Sequence, residues 1–91
     1  MEITDVKIMQ VNIEKIKAFA HITFDACFVV TGIKVICGVS EKYFVAMPHK
    51  RLADGKHFDI CYPITKEMKK MIEDKVLGAF ESELSKVNIS Q

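Results

Sequence analysis

Apolar positions between residue 3 and about residue 62 either alternate with polar ones or gather in short runs, and beyond Pro63 the spacing lengthens to three and four. A change of period of this kind marks strands followed by a helix. Ala18, Ala20, Ile22 and Phe24 fall on one side of an alternating segment, with Phe19, His21 and Thr23 on the other, which predicts a strand with one buried face. Val6 and Ile8 set against Asp5 and Lys7 predict another over residues 3–9. Residues 28–37 are rich in Val and Ile and are interrupted by Gly32, where a bulge or a close backbone approach is expected. Residues 43–47 are apolar throughout, the pattern of a central strand covered on both faces. Phe58, Ile60 and Tyr62 alternate with Asp59 and Cys61 and predict a short final strand. Connections are expected at residues 12–17, at Asp25 and Ala26, at residues 38–42 and at residues 48–56, the last carrying Asp54-Gly55, a pair suited to positive φ.

After Pro63, Thr65 is placed to cap a helix over about residues 66–86. Met68, Met71, Ile72, Val76, Ala79, Phe80, Leu84 and Val87 follow helical spacing, with Lys66, Glu67, Lys70, Asp74, Glu81 and Ser85 on the opposite side. Gly78 lies on that polar side and weakens the helix by about 0.5 to 1 kcal/mol relative to alanine. Residues 88–91 are expected to fray. Strands followed by one helix define an α+β fold, a mostly antiparallel curled sheet of about five strands with the C-terminal helix packed on it. One helix covers one face of a sheet, so the apolar surplus on the other side, including Phe19, predicts either a subunit interface or strong curling.

The chain has 91 residues, enough for a single domain over residues 1–91 and too few for a second core. With 49% hydrophobic and 27% charged residues, four Gly and two Pro, it is neither a disordered tail nor a flexible linker. No apolar run approaches the roughly 20 residues of a membrane span. The acidic opening Met-Glu-Ile-Thr-Asp lacks the features of a secretory signal. The three cysteines, Cys27, Cys37 and Cys61, are an odd set without such a signal, so cytoplasmic placement and reduced thiols are expected, with the thiols acting as small buried hydrophobes. Thirteen Lys and Arg against twelve Asp and Glu give a formal charge of +1. Binding to a polyanion therefore has to come from a local patch.

One stretch supplies such a patch. Residues 48–57 hold Lys50, Arg51 and Lys56 with His49, His57 and a single acid, Asp54. An arginine grips phosphate bidentately and lysines act as mobile point charges, so the segment suits a phosphate clamp; its plain alternative is a solvated loop. Lys66, Lys69 and Lys70 crowd the helix start, where positive charge opposes the macrodipole. Glu67, Glu73 and Asp74 are near enough in sequence to neutralise them in an ordinary exposed face. No metal site is expected: there is no C-x-x-C pair, and His57 and Cys61 in a strand would stand about 13 Å apart. The serines lie outside any nucleophile elbow and no Gly-rich phosphate loop exists. Catalytic residues, cofactors and a small-molecule substrate are accordingly not expected.

Phe44-Val45-Ala46-Met47-Pro48-His49-Lys50-Arg51, followed by Asp54-Gly55, Asp59-Ile60 and Pro63-Ile64, resembles the signature of the septation protein SpoVG family (stage V sporulation protein G). Residues 1–7 are similar to the family's opening strand, and Phe28-Val29-Val30 with residues 32–36 to its third. His49, Leu52-Ala53 and Tyr62 depart from the usual pattern while sparing the fixed charges. The resemblance implies a bacterial regulator of septation, sporulation or envelope gene expression, a homodimer joined through its sheets that binds DNA and, as a further partner, RNA. It maps the family's basic loop onto Lys50 and Arg51 and its helix start onto residues 66–70. The nucleic-acid contacts expected are Lys50, Arg51, Lys56, Lys66, Lys69 and Lys70. The rival reading, favoured by the nearly balanced charge, is a protein-interaction adaptor in cell division whose nucleic-acid contact is incidental.

Overall fold

In the computed structural model, which describes residues 1–89 and side chains as far as Ser85, the alternating segment forms β2 (Ile16–Phe24). It lies between β1 (Ile3–Ile13) and β3 (Phe28–Cys37), and β4 (Tyr43–Ala46) completes an antiparallel sheet in the order β1-β2-β3-β4. The inward face of β2 is made of Ala18, Ala20, Ile22 and Phe24, all buried, as a period of two requires. Two alanines in that row leave room for larger neighbours, Ile33 and Val35 of β3. Two shorter strands, β5 (His49–Arg51) and β6 (His57–Asp59), pair with each other in a separate antiparallel ribbon. Helix α1 (Lys66–Ile89) closes the core.

The architecture is the expected α+β arrangement with one helix on a mostly antiparallel sheet. Its strands divide four and two, and the sheets are uncurled. The division falls at Pro48, whose nitrogen has no hydrogen to continue a ladder; the Pro48 carbonyl accepts instead from the Ile60 amide at 2.7 Å, tying the ribbon's base. Residues 48–56, read from sequence as a connection, thus contain a strand. The apolar segment 43–47 is an edge strand and not a central one. Its alternate residues meet different surroundings: Val45 packs on the core and the Tyr43 ring lies edge-on to Phe80 at 5.0 Å, whereas Phe44 faces the open side and is exposed. Cys27 is exposed beside the β2–β3 turn, and Cys37 and Cys61 are half-buried, so none is the buried hydrophobe expected.

The turns follow from backbone sterics. Asp25 and Ala26 both have positive φ, 50° and 53°, the mirror-image turn that matches strand twist; the Cys27 amide closes it by donating to the Phe24 carbonyl at 3.0 Å, leaving a three-residue loop between Phe24 and Phe28. The Asp25 carboxylate accepts from the Glu2 amide at 2.8 Å and the Thr4 hydroxyl from the Ala26 amide at 2.9 Å, which offsets the strain. Gly32 has φ +82° at the predicted bulge, where Thr31 and Gly32 together oppose His21 between the Ala20–Ile33 and Ile22–Val30 pairs.

Ile72, Val76 and Phe80 of α1, spaced one turn apart, are buried against the sheet, with Met68, Leu77 and Leu84 beside them. Met71, expected on this face, is exposed. The seat predicted for Val87 lies outside the described side chains. The fraying expected over residues 88–91 is not found at Asn88 and Ile89, which continue α1, and for Ser90 and Gln91 it lies outside the described residues. Thr65 caps the helix as expected, its hydroxyl accepting from the Met68 amide at 3.1 Å. Thr65→Ala should lower stability by about 0.5 to 2 kcal/mol, read as an earlier urea midpoint with an unchanged slope, while Thr65→Ser retains most of it.

Candidate nucleic-acid interface

The basic segment is rigidified by pairing with the residues that follow the turn. Leu52 donates its amide to the Lys56 carbonyl at 2.7 Å, Gly55 donates to Leu52 at 3.0 Å, and Lys56 donates to the Asp54 carboxylate at 3.0 Å. Gly55 turns at φ +88° with nothing near the position of a Cβ, so glycine is required there by the backbone and not by crowding. The result is a two-stranded arm. Every residue from Lys50 to Ile60 is exposed, and among the described residues Lys50, Arg51 and Lys56 make no ion pair.

Register fixes which charges share a face. His49 stands opposite Asp59, Lys50 opposite Phe58, and Arg51 opposite His57. Residues directly opposite in an antiparallel pair project to the same side and successive residues to opposite sides. One face therefore carries His49, Arg51, His57 and Asp59, and the His49 and His57 rings lie 5.2 Å apart on it. The other carries Lys50 and Phe58. Lys50 and Arg51 do not form one flat patch; they flank an arm two strands wide from its two sides.

The helix lysines are placed differently from one another. Lys69 lines a cleft of ≈ 420 Å³ together with Val45, Met47, His49, Asp59 and Glu73, so it joins the base of the ribbon. Lys70 lies in a separate shallow groove with Glu67, Asp74 and Lys75, where local acids offset its charge. Lys66 is exposed at the first position of the helix. Lys50, Arg51, Lys56 and Lys69 are thus gathered around the arm, whereas Lys70 belongs to another surface. Sequence reasoning placed Phe58 in a short strand and gave it no part in binding. The signal was an aromatic residue between His57 and Asp59, two positions beyond Lys56.

Among the described residues no group of three or more His, Cys, Asp or Glu side chains is arranged to hold a metal ion. No described helix is long and apolar enough to cross a membrane.

The fold and this arm define a small α+β protein with an exposed basic β-ribbon. The sequence profile of the SpoVG family matches residues 1–82. The chain is 48% identical over 84 residues to a protein of Bdellovibrio bacteriovorus, covering 92% of this chain and 77% of that relative. It is 45% identical to one of Anaeromyxobacter sp. strain Fw109-5, covering 94% and 88%, and 40% identical to one of Caldicellulosiruptor saccharolyticus, covering 93% and 97%. All three are named as candidate septation proteins, SpoVG. The chain belongs to the SpoVG family.

Proposed function

We propose that this protein is a cytoplasmic, homodimeric regulator that binds nucleic acid through the β5–β6 arm, in the control of septation, sporulation or envelope gene expression. DNA is the first partner and RNA the second. The observation that carries this reading is the arm itself: Lys50, Arg51 and Lys56 on a hydrogen-bonded ribbon, exposed and, among the described residues, without an ion pair. Cations on a fixed backbone lose less conformational freedom on meeting phosphate than cations on a floppy loop. Lys50 and Arg51 reach a polyanion from the two sides of the arm, while Lys69 at its base shares its cleft with Asp59 and Glu73. Contacts to phosphate position the protein without reading sequence.

Self-association is supported by the side of the sheet that α1 leaves open. Met9, Val29 and Phe44 are exposed there, with Phe19 half-buried among them. A second copy places a second arm on the same polymer, so two small patches act through their effective concentration. The same apolar surface favours the rival reading, an adaptor that docks a division protein, and catalysis has no part in either.

Titration of labelled DNA at two salt concentrations, with and without a competing polyanion, separates the two readings. A nucleic-acid regulator that neutralises four to six phosphates loses affinity with a slope of log K against log salt of roughly −4 to −5, and retains DNA over the competitor. Retention only at low salt, and equally of any polyanion, supports the adaptor.

A further inference from the structure

Phe58 is 47% exposed and stands opposite Lys50 on one face of the arm. The other face is the one turned toward the body of the protein, because His49 and Asp59 on it line the cleft against β4 and α1. The Lys50–Phe58 face is therefore turned away from that cleft, and Phe58 has no place among the residues that pack the core. A large ring held outward on a charged arm contributes little to folding, since an isolated two-stranded ribbon buries too little surface to gain from it. Beside a cation it has a second use. A nucleotide places a flat base next to an anion, and Phe58 beside Lys50 places a flat ring next to a cation.

We propose that Phe58 is a stacking platform for an unpaired base, with Lys50 holding the adjoining phosphate, so that the arm takes single-stranded nucleic acid in preference to duplex. The inference rests on the phosphate-binding reading of the arm and adds the polymer class. Duplex stacking hides base faces from a side chain outside the helix, whereas a single strand leaves them free, and every base offers a π-face whatever its sequence. Stacking on an aromatic side chain typically changes affinity by about 5-fold to 150-fold per base.

The test compares three labelled probes of equal length and at one salt concentration: a mixed-sequence single strand, its duplex, and an abasic strand that keeps the sugar–phosphate chain without bases. The full chain should bind the single strand about 5-fold or more tightly than the other two. Phe58→Leu should bring single-strand affinity down to that of the abasic probe and leave abasic binding unchanged, and Phe58→Trp should restore it. Wild-type protein that binds the abasic strand as tightly as the single strand overturns the proposal while leaving the phosphate-binding reading intact. So does a Phe58→Leu protein with undiminished single-strand affinity, or one whose sedimentation differs from wild type, which would place Phe58 in a contact between copies. Wild-type protein that binds none of the three removes the phosphate-binding reading itself, and the stacking platform with it.

Discussion

Replacing Lys50 and Arg51 together by alanine is expected to remove most of the salt dependence of DNA binding while leaving the fold and the self-association unchanged. Each phosphate left without its cation should reduce the slope of log K against log salt by about 1, so in the proposed dimer two residues from each subunit take a slope of roughly −4 to −5 to between about 0 and −1. Affinity should fall alike for unrelated sequences, by about 100-fold or more at low salt, because phosphate contacts carry no base information. Both side chains are exposed, and among the described residues neither forms an ion pair, so their removal orphans no buried partner. The register makes the single variants informative as well. If the polymer wraps the arm, Lys50→Ala and Arg51→Ala each flatten the slope by a similar amount; if it lies along one face, one of them does nothing. Binding and salt slope that survive the double change would take the arm out of the mechanism, and circular dichroism with sedimentation verifies that the fold and assembly are intact.

The largest effect on stability is expected at Phe80. It is 2% exposed, packs one turn from Val76 and meets the Tyr43 ring at 5.0 Å, so it fastens the helix both to the core and to the edge strand β4. Phe80→Ala leaves a cavity that both elements would have to move to fill. Changes of this kind cost about 3 to 5 kcal/mol, against a total of about 5 to 15 kcal/mol for a typical domain. The melting temperature should drop by about 12 °C or more, measured by calorimetry at fixed protein concentration. Phe80→Leu, which retains much of the volume, should lose far less. A Phe80→Ala protein that melts like wild type would mean that α1 is not docked as described.

What was legible in the sequence was whatever depended on a residue and its near neighbours. Ala18, Ala20, Ile22 and Phe24 announce a half-buried strand because side-chain direction alternates with the chain itself, and Thr65 announces a helix start because capping is completed within three residues. Gly32 marks its bulge for the same local reason. The edge position of β4 was hidden. An apolar run is written identically whether its second side is covered by the chain or left open, and here Val45 and Phe44 take those two fates. The pairing of β5 with β6 was hidden as well: the alternation of Phe58, Ile60 and Tyr62 announced a strand, but residues exposed from Lys50 to Ile60 give no buried face that names its partner. The charges of the candidate interface were plain, but their separation onto two faces depends on a register that only the folded arm supplies. Lys70 looked equivalent to Lys69 in sequence, and one helical residue of rotation, about 100°, sends it to a different surface.

The flanks of the four-stranded sheet bear on the behaviour of the protein at high concentration. β1, one outer strand, holds an extra residue at each of two places, between Ile3 and Asp5 and between Gln10 and Ile13. Its free amides and carbonyls are therefore out of step with those of any regular strand brought alongside. β4, the other, is four residues long and gives way to Pro48 two positions later. Neither border offers the long, evenly spaced template on which fibrils grow, so the protein should tolerate crowding without polymerising through its sheet.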